Sequence, residues 1–420
     1  MNDRPETRGP TGDPLRLFVA ELERNRAAPH YQQKRFASGE HVWLGNAGLQ
    51  RACERRGEVA GRHNRVARRS EDVVLSYGEI VALSGDFYAS PEDLFDERPA
   101  LVPWLWEDND LSDLQAAFAA ELKWIRGARG LEYPDKNLAY WWNAKHYIEL
   151  ALANDVHFGW HNVVAYCRHH ATALEQARRA RETGDPVDWR RARYTNGFAD
   201  HFLTDAFAAG HIRVPRAQTR AWAAERGYSE KLAGTLCKLV HDQDGHVDTL
   251  HGDPHKHTGA EGLRVTNARG DDWVTRCDNQ LFIARVKDPA IEQPVAAVAA
   301  SCDELLGAYL HGEVVTGEFA ALERVPFPHP AIESFCAKFT PRIDSGALDA
   351  LVRSVAWYSK IPLSGARITC EVVLEYFAAL PAIMKQFRAD VAADAAHEGR
   401  IDHTFDRLPA AYIEAFKRIE

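Results

Sequence analysis

Apolar residues recur at three- and four-residue spacing over seven stretches of this chain, and that periodicity confines it to a largely helical architecture. The stretches are Leu15 to Arg26, Val42 to Arg56, Leu111 to Arg126, Leu138 to Ala153, His161 to Arg181, Val187 to Ala209 and Glu371 to Ala393. A break or kink is expected in the last at Pro381. Strand signals are few. The clearest lies in residues 262–274, where alternation flanks an Asn-Ala-Arg-Gly turn and predicts a small hairpin. Before it, Asp248 to Gly262 is rich in Gly, His, Asp and Pro and reads as a loop leading out of the helical core. The expected fold is therefore all-α. Residues 1–30 form a flexible lead, 31–247 a helical core, 248–285 a loop and β-hairpin insertion, and 286–420 a C-terminal helical region packed on the core.

Composition narrows the setting. No apolar run reaches the roughly 20 residues needed to span a bilayer, and the stretch Met1 to Pro14 has no apolar signal core. A cytoplasmic location, or export by a route without a classical signal peptide, is expected. The seven cysteines (Cys53, Cys167, Cys237, Cys277, Cys302, Cys336 and Cys370) contain no CxxC pair, and their odd number argues for reduced thiols. A net charge of −9 gives no general attraction to nucleic acid, so no stable nucleic-acid complex is expected.

Five segments carry the chemistry. His201 and Asp205 are four residues apart and project from one face of a helix, while the Gly210-His211 break lets His211 fold back from its end. Imidazole and carboxylate are donors that Zn²⁺ accepts, and a carboxylate between two ions can bridge them. A histidine opens an amphipathic helix in His41-Val-Trp43-Leu-Gly45-Asn46. Asp86 follows Gly85 in an apolar and aromatic segment with Phe87 and Tyr88, where a buried carboxylate needs a partner such as a cation. Asn154-Asp155-Val-His157-Phe158 follows the Trp141-Trp142 helix, with His146 and His161 as rival ligands. In Leu239-Val-His241-Asp242-Gln-Asp244, His241 and Asp244 lie about 60° apart on a helix and could grip one ion, whereas Asp242 points elsewhere.

In order and spacing these segments resemble the zinc-dependent phospholipase C and single-strand nuclease superfamily, an all-α fold with clustered zinc ions. The resemblance covers roughly residues 40 to 245. The stretch from Asp205 through His211 and Arg213 to Arg216 is similar to a bacterial branch of phosphatidylcholine-hydrolysing phospholipases C. The resemblance implies two to three Zn²⁺ ions. One would be held by Asp86, His157, His201 and Asp205, with Asp205 bridging to a second held by His41, and a third by His211, His241 and an acid. Two departures stand out. Gly245 occupies the position of the family's glutamate, so Asp244 must substitute if that site is filled; and 40 residues precede His41 where the family uses a free amino terminus, so that either the lead is cleaved, or a group such as His30 or Glu40 replaces the amine, or that ion is weakly held.

The implied function is hydrolysis of a phosphodiester, foremost a phosphatidylcholine-type phospholipid, by a zinc-activated water. Asp86 is the expected group that orients or deprotonates that water. Arg213 and Arg216 are candidate phosphate contacts, and Phe87, Tyr88, Phe158 and Trp160 a candidate box for choline, with core packing the competing role. Two alternatives stand beside this: an HD-type metal phosphohydrolase or nuclease built on His241-Asp242, and a non-catalytic helical interaction protein stabilised by one metal.

Overall fold

The computed structural model describes residues 38–96, 111–125, 150, 154–244, 262–276, 288–332, 334–339, 368–396 and 407–419. The expectations for the lead, for Leu15 to Arg26, for the helix over Leu138 to Ala153, for His30, His146 and Gly245, and for the loop before Gly262 lie outside them, as does the side chain of Asp242. The fold is predominantly α, with fourteen helices, a two-stranded sheet and a three-stranded sheet among the described residues. No helix there is long and apolar enough to cross a membrane.

The helices that build the site are α1 (Ser38–Arg56), α3 (Tyr77–Leu83), α6 (Trp160–Thr183), α7 (Pro186–Asp205), α8 (Ala209–Ile212) and α10 (Glu230–Asp244). Between them lie α2 (Ala60–Asn64), α4 (Pro91–Asp96), α5 (Leu111–Ile125) and α9 (Arg216–Glu225), and after them come α11 (Pro289–His311), α12 (Phe335–Phe339), α13 (Cys370–Ala396) and α14 (Ala410–Phe416). Local signals set the ends. Asp185 caps α7 by accepting from the Val187 amide at 2.8 Å, with Pro186 in the first turn, where a missing N–H costs nothing. Gly184 takes the left-handed conformation (φ 69°) that ends α6. A reciprocal Ser76/Glu79 capping box starts α3.

Three outcomes differ from the periodicity. The amphipathic pattern through Ala209 is two helices, because α7 stops at Asp205 and the chain turns before α8. α13 runs on through Pro381 without ending. A hairpin of β1 (Arg65–Ala67) and β2 (Val74–Ser76) escaped notice because three-residue strands are too short to show alternation. The expected hairpin is present as β3 (Leu263–Thr266) and β4 (Asp272–Thr275), joined by β5 (Phe327–Pro328) on the other edge of β3. It packs into the main core through Leu263, Val265 and Trp273. It also braces the turn after α7: the Thr275 hydroxyl donates to the Phe207 carbonyl, and the Ala209 amide donates to the Arg276 carbonyl at 2.8 Å.

α7 is the axis of the molecule. It lies along α6, and α11 and α3 pack across it. A buried polar knot fixes its rotation: His170 of α6 sits 2.6 Å from Asn196 Oδ1 and 2.8 Å from Glu304 of α11. Asn196 donates to the Tyr77 hydroxyl of α3 at 2.7 Å, which in turn donates to Asp200 at 2.6 Å. Burial pushes the Asp200 carboxyl up to about 6 despite these bonds.

Candidate metal centre

Asp205, the last residue of α7, is the point on which the site converges. Its Oδ2 lies 2.7 Å from His157 Nδ1 and 3.4 Å from His201 Nε2. Its Oδ1 lies 3.6 Å from His41 Nε2 and 3.6 Å from His211 Nδ1. One carboxylate is thus divided between two pairs of imidazoles. His201 comes from the preceding turn of α7, His41 from the first turns of α1, His157 from a single 3₁₀ turn (Asp155–His157), and His211 from α8. All are buried or nearly so.

The spacings suit a tetrahedral cation. Two donors each about 2.1 Å from one zinc ion stand about 3.4 Å apart, close to the separations of Asp205 from His201 Nε2 and His41 Nε2. Two groups of three have donor atoms mutually within 4.8 Å: His41, His201 and Asp205, and Asp86, His157 and His201. Nitrogen and carboxylate donors of this kind fit Zn²⁺.

Each ring is held by its surroundings. His201 Nδ1 donates to the Val81 carbonyl of α3 at 2.9 Å, which leaves Nε2 bare toward Asp205. His41 Nδ1 pairs with Thr204 Oγ1 at 2.8 Å. His211 Nδ1 donates to the His157 carbonyl at 2.9 Å, and its ring stacks on Phe158 with centroids 4.4 Å apart. His157 Nδ1 faces Asp205 Oδ2, and its ring packs edge-on to Phe202 with centroids 5.2 Å apart. Burial pulls His157 down to about 4, opposed by the Asp86 charge, and drives His201 well below the usual histidine range, with His41 and His157 adding to the effect. Both are therefore neutral at pH 7, the form that binds a metal.

Asp86 reaches the centre on a tight turn. The Asp86 amide donates to the Ser84 carbonyl at 2.8 Å, and Gly85 holds φ at 73°. A Cβ on Gly85 would stand 2.8 Å from His157 Cε1 and 2.9 Å from His201 Cδ2. Glycine is what lets this turn lie on two imidazole rings. Asp86 is buried, at 6% exposed.

The third proposed metal set is not assembled as the sequence suggested. His241 does approach, its ring 5.1 Å from that of His211 and pressed on Gly210, whose added Cβ would be 2.4 Å from His241 Cδ2. Asp244 does not stand with them as a ligand: Arg213 Nε donates to it at 2.8 Å and Nη2 at 2.6 Å, with both side chains buried. The i+3 spacing could not reveal that competitor. Arg213 is for the same reason a structural partner, not a phosphate contact. Phe87 and Tyr88 are core residues in one cluster with Phe118, and Trp160 stacks on Tyr412, so the aromatic box is corrected to packing. Phe158 alone of the four touches the centre, as the platform under His211 and the face beneath the Arg216 guanidinium at 5.0 Å. The rival His161 faces the carboxylates of Asp394, Asp155 and Asp390 instead.

Sequence reasoning missed Thr204, Gly85 as a packing requirement, and the Val81 carbonyl. Gly85 beside a candidate ligand was the one readable signal; a backbone acceptor leaves none. Comparison of the chain with family models, curated proteins and solved structures found no match.

Proposed function

We propose that this chain is a zinc-dependent phosphodiester hydrolase of the phospholipase C type, acting on phosphatidylcholine-type lipids. The observation that carries the reading is the buried Asp205 carboxylate, whose two oxygens face bare imidazole nitrogens of His201 and His41 at ligand-to-ligand spacing, with His157 and His211 closing around it. His157, His201, Asp86 and Asp205 Oδ2 would hold one ion, and His41 with Asp205 Oδ1 a second. Bound zinc supplies positive charge against phosphoryl oxygens and lowers the pKa of water to about 7. Asp86 orients the attacking water or takes its proton, since Asp205, the other carboxylate of the cluster, is committed to both ions. His157 and His201, kept neutral by burial, bring no positive charge of their own and leave that role to the ions. An HD-type site would centre on His241 and Asp242, yet the carboxylate that collects the imidazoles is Asp205.

The test is metal content followed by turnover on phosphatidylcholine, phosphatidylinositol, an aryl phosphodiester and single-stranded DNA. Two to three zinc ions per chain and hydrolysis of phosphatidylcholine are expected. Asp205→Asn should release at least one ion and lower turnover at least about a hundredfold, because a neutral amide is a poor bridge between dications. One zinc or none with no turnover would support the metal-stabilised interaction protein, and full turnover by Asp205→Asn at full zinc content would remove the bridging role. Cleavage of DNA in preference to lipid would move the substrate to the nuclease side.

A further inference from the structure

We infer that Thr204 is a positioning residue that sets the tautomer of His41 and so controls the metal affinity of the Oδ1 side of Asp205. The inference rests on the metal-site reading above. Thr204 immediately precedes Asp205 in α7 and is 4% exposed. Its Oγ1 lies 2.8 Å from the Asp200 carbonyl, 2.8 Å from the His201 carbonyl and 2.8 Å from His41 Nδ1. A helical threonine that merely satisfies itself needs only the first two contacts. The third reaches a different helix, 163 residues away in sequence.

The proton count decides the tautomer. A hydroxyl has one proton, and both helix carbonyls offer only lone pairs, so the proton is shared toward them. Oγ1 then presents a lone pair to His41, and the hydrogen of that contact must come from Nδ1. Were the proton turned to His41 instead, three oxygens would meet without a hydrogen between them. Nδ1–H leaves Nε2 bare, and Nε2 is the atom 3.6 Å from Asp205 Oδ1.

His41 also differs from its neighbours in how it is held. His201 and His211 donate to the backbone carbonyls of Val81 and His157, acceptors that no side-chain substitution can remove. The Thr204 contact is made by a side chain. Removing such an orienting group from a metal-ligating histidine typically costs 10- to 100-fold in affinity, so this one hydroxyl tunes one ion while leaving the others in place.

Zinc retained per full-length chain, measured against graded chelator, tests this with Thr204→Val, Thr204→Ser and both in a His41→Ala background. Thr204→Val should lose one equivalent at about 10- to 100-fold lower chelator concentration, and Thr204→Ser should stay near wild type. In the His41→Ala background Thr204→Val should cause no further loss. Wild-type zinc affinity in Thr204→Val, an equal defect in the serine variant, or an additive loss without His41 would each overturn the role. A measurement that needs no variant is the ring-nitrogen NMR signature of His41 in the metal-free protein, expected to show Nδ1–H; an Nε2–H tautomer would overturn it too. If the wild-type chain binds no zinc at all, the metal reading itself fails and takes this inference with it.

Discussion

Gly85 shows how much of a candidate metal centre is decided by a residue with no donor atom. Its φ of 73° is one that L side chains adopt at a cost of roughly 1–2 kcal/mol, and any Cβ there would push on His157 and His201 together. Gly85→Ala is therefore expected to lower stability by about 2 kcal/mol or more and to reduce zinc content, since both rings are buried with little room to retreat. Thermal unfolding with and without zinc checks it; an unchanged melting temperature and metal count would mean that the turn relaxes freely. The readable part of the site was the part written in local spacing. His201 and Asp205 announce themselves at i and i+4, and His41, Asp86 and His157 joined them through the family resemblance. Asp244 misled because spacing along α10 says nothing of Arg213, which arrives from another segment and takes the carboxylate.

Elements are brought into place by small residues where backbones cross. α1 meets α3 at Gly45 and Gly78, and a Cβ on Gly78 would lie 2.0 Å from the Val42 carbonyl. Asn46 seals the crossing by accepting from the Gly78 amide at 3.0 Å. This contact sets α1, which carries His41, against α3, whose Val81 carbonyl holds His201 and whose end leads into the Gly85 turn. Gly78→Ala should cost about 3 kcal/mol, because the obstacle is backbone and cannot rotate away. Gly61→Ala, on α2 with nothing within 4 Å of the added atom, should be neutral or stabilising by up to about 1 kcal/mol. Denaturant midpoints of the two variants separate the cases, and equal effects would show that the α1–α3 crossing is not tight. The positions of α1, α5, α6, α7 and α13 were legible because periodicity survives over four or more turns, whereas α11 was not, since it is buried at nearly every position from Val295 to Cys302 and shows no polar face. The end of α7 was not, since the apolar pattern continues across the turn into α8, and a two-residue strand such as β5 carries no pattern at all.

At the scale of the molecule, burying so many neutral histidines makes the metal-free protein acid-sensitive. His157 and His169 are drawn by burial to about 4 from 6.5. Between those values the unfolded chain binds protons that the folded chain does not, so stability falls as pH drops from 6.5 toward 4. Asp200, raised to about 6 from 3.8, acts in the opposite sense, its folded form taking up a proton first. Two such histidines outweigh one carboxylate, and His63, His161 and His201 shift in the same direction as the two. The denaturant midpoint of chelator-treated protein should therefore fall between pH 7 and 4.5; a rise would show that Asp200 dominates.

The place of Asp205 in its helix has one more consequence. Aligned peptide dipoles leave the C-terminal end of α7 partly negative, roughly half an elementary charge, and there the chain puts a carboxylate with no lysine or arginine in the last turn to offset it. A second source of negative potential thus adds to the carboxylate's own, and a dication at that end relieves both. The helix that forms the axis of the fold thus ends in concentrated negative potential, and a dication held there would couple its own affinity to the cohesion of the scaffold.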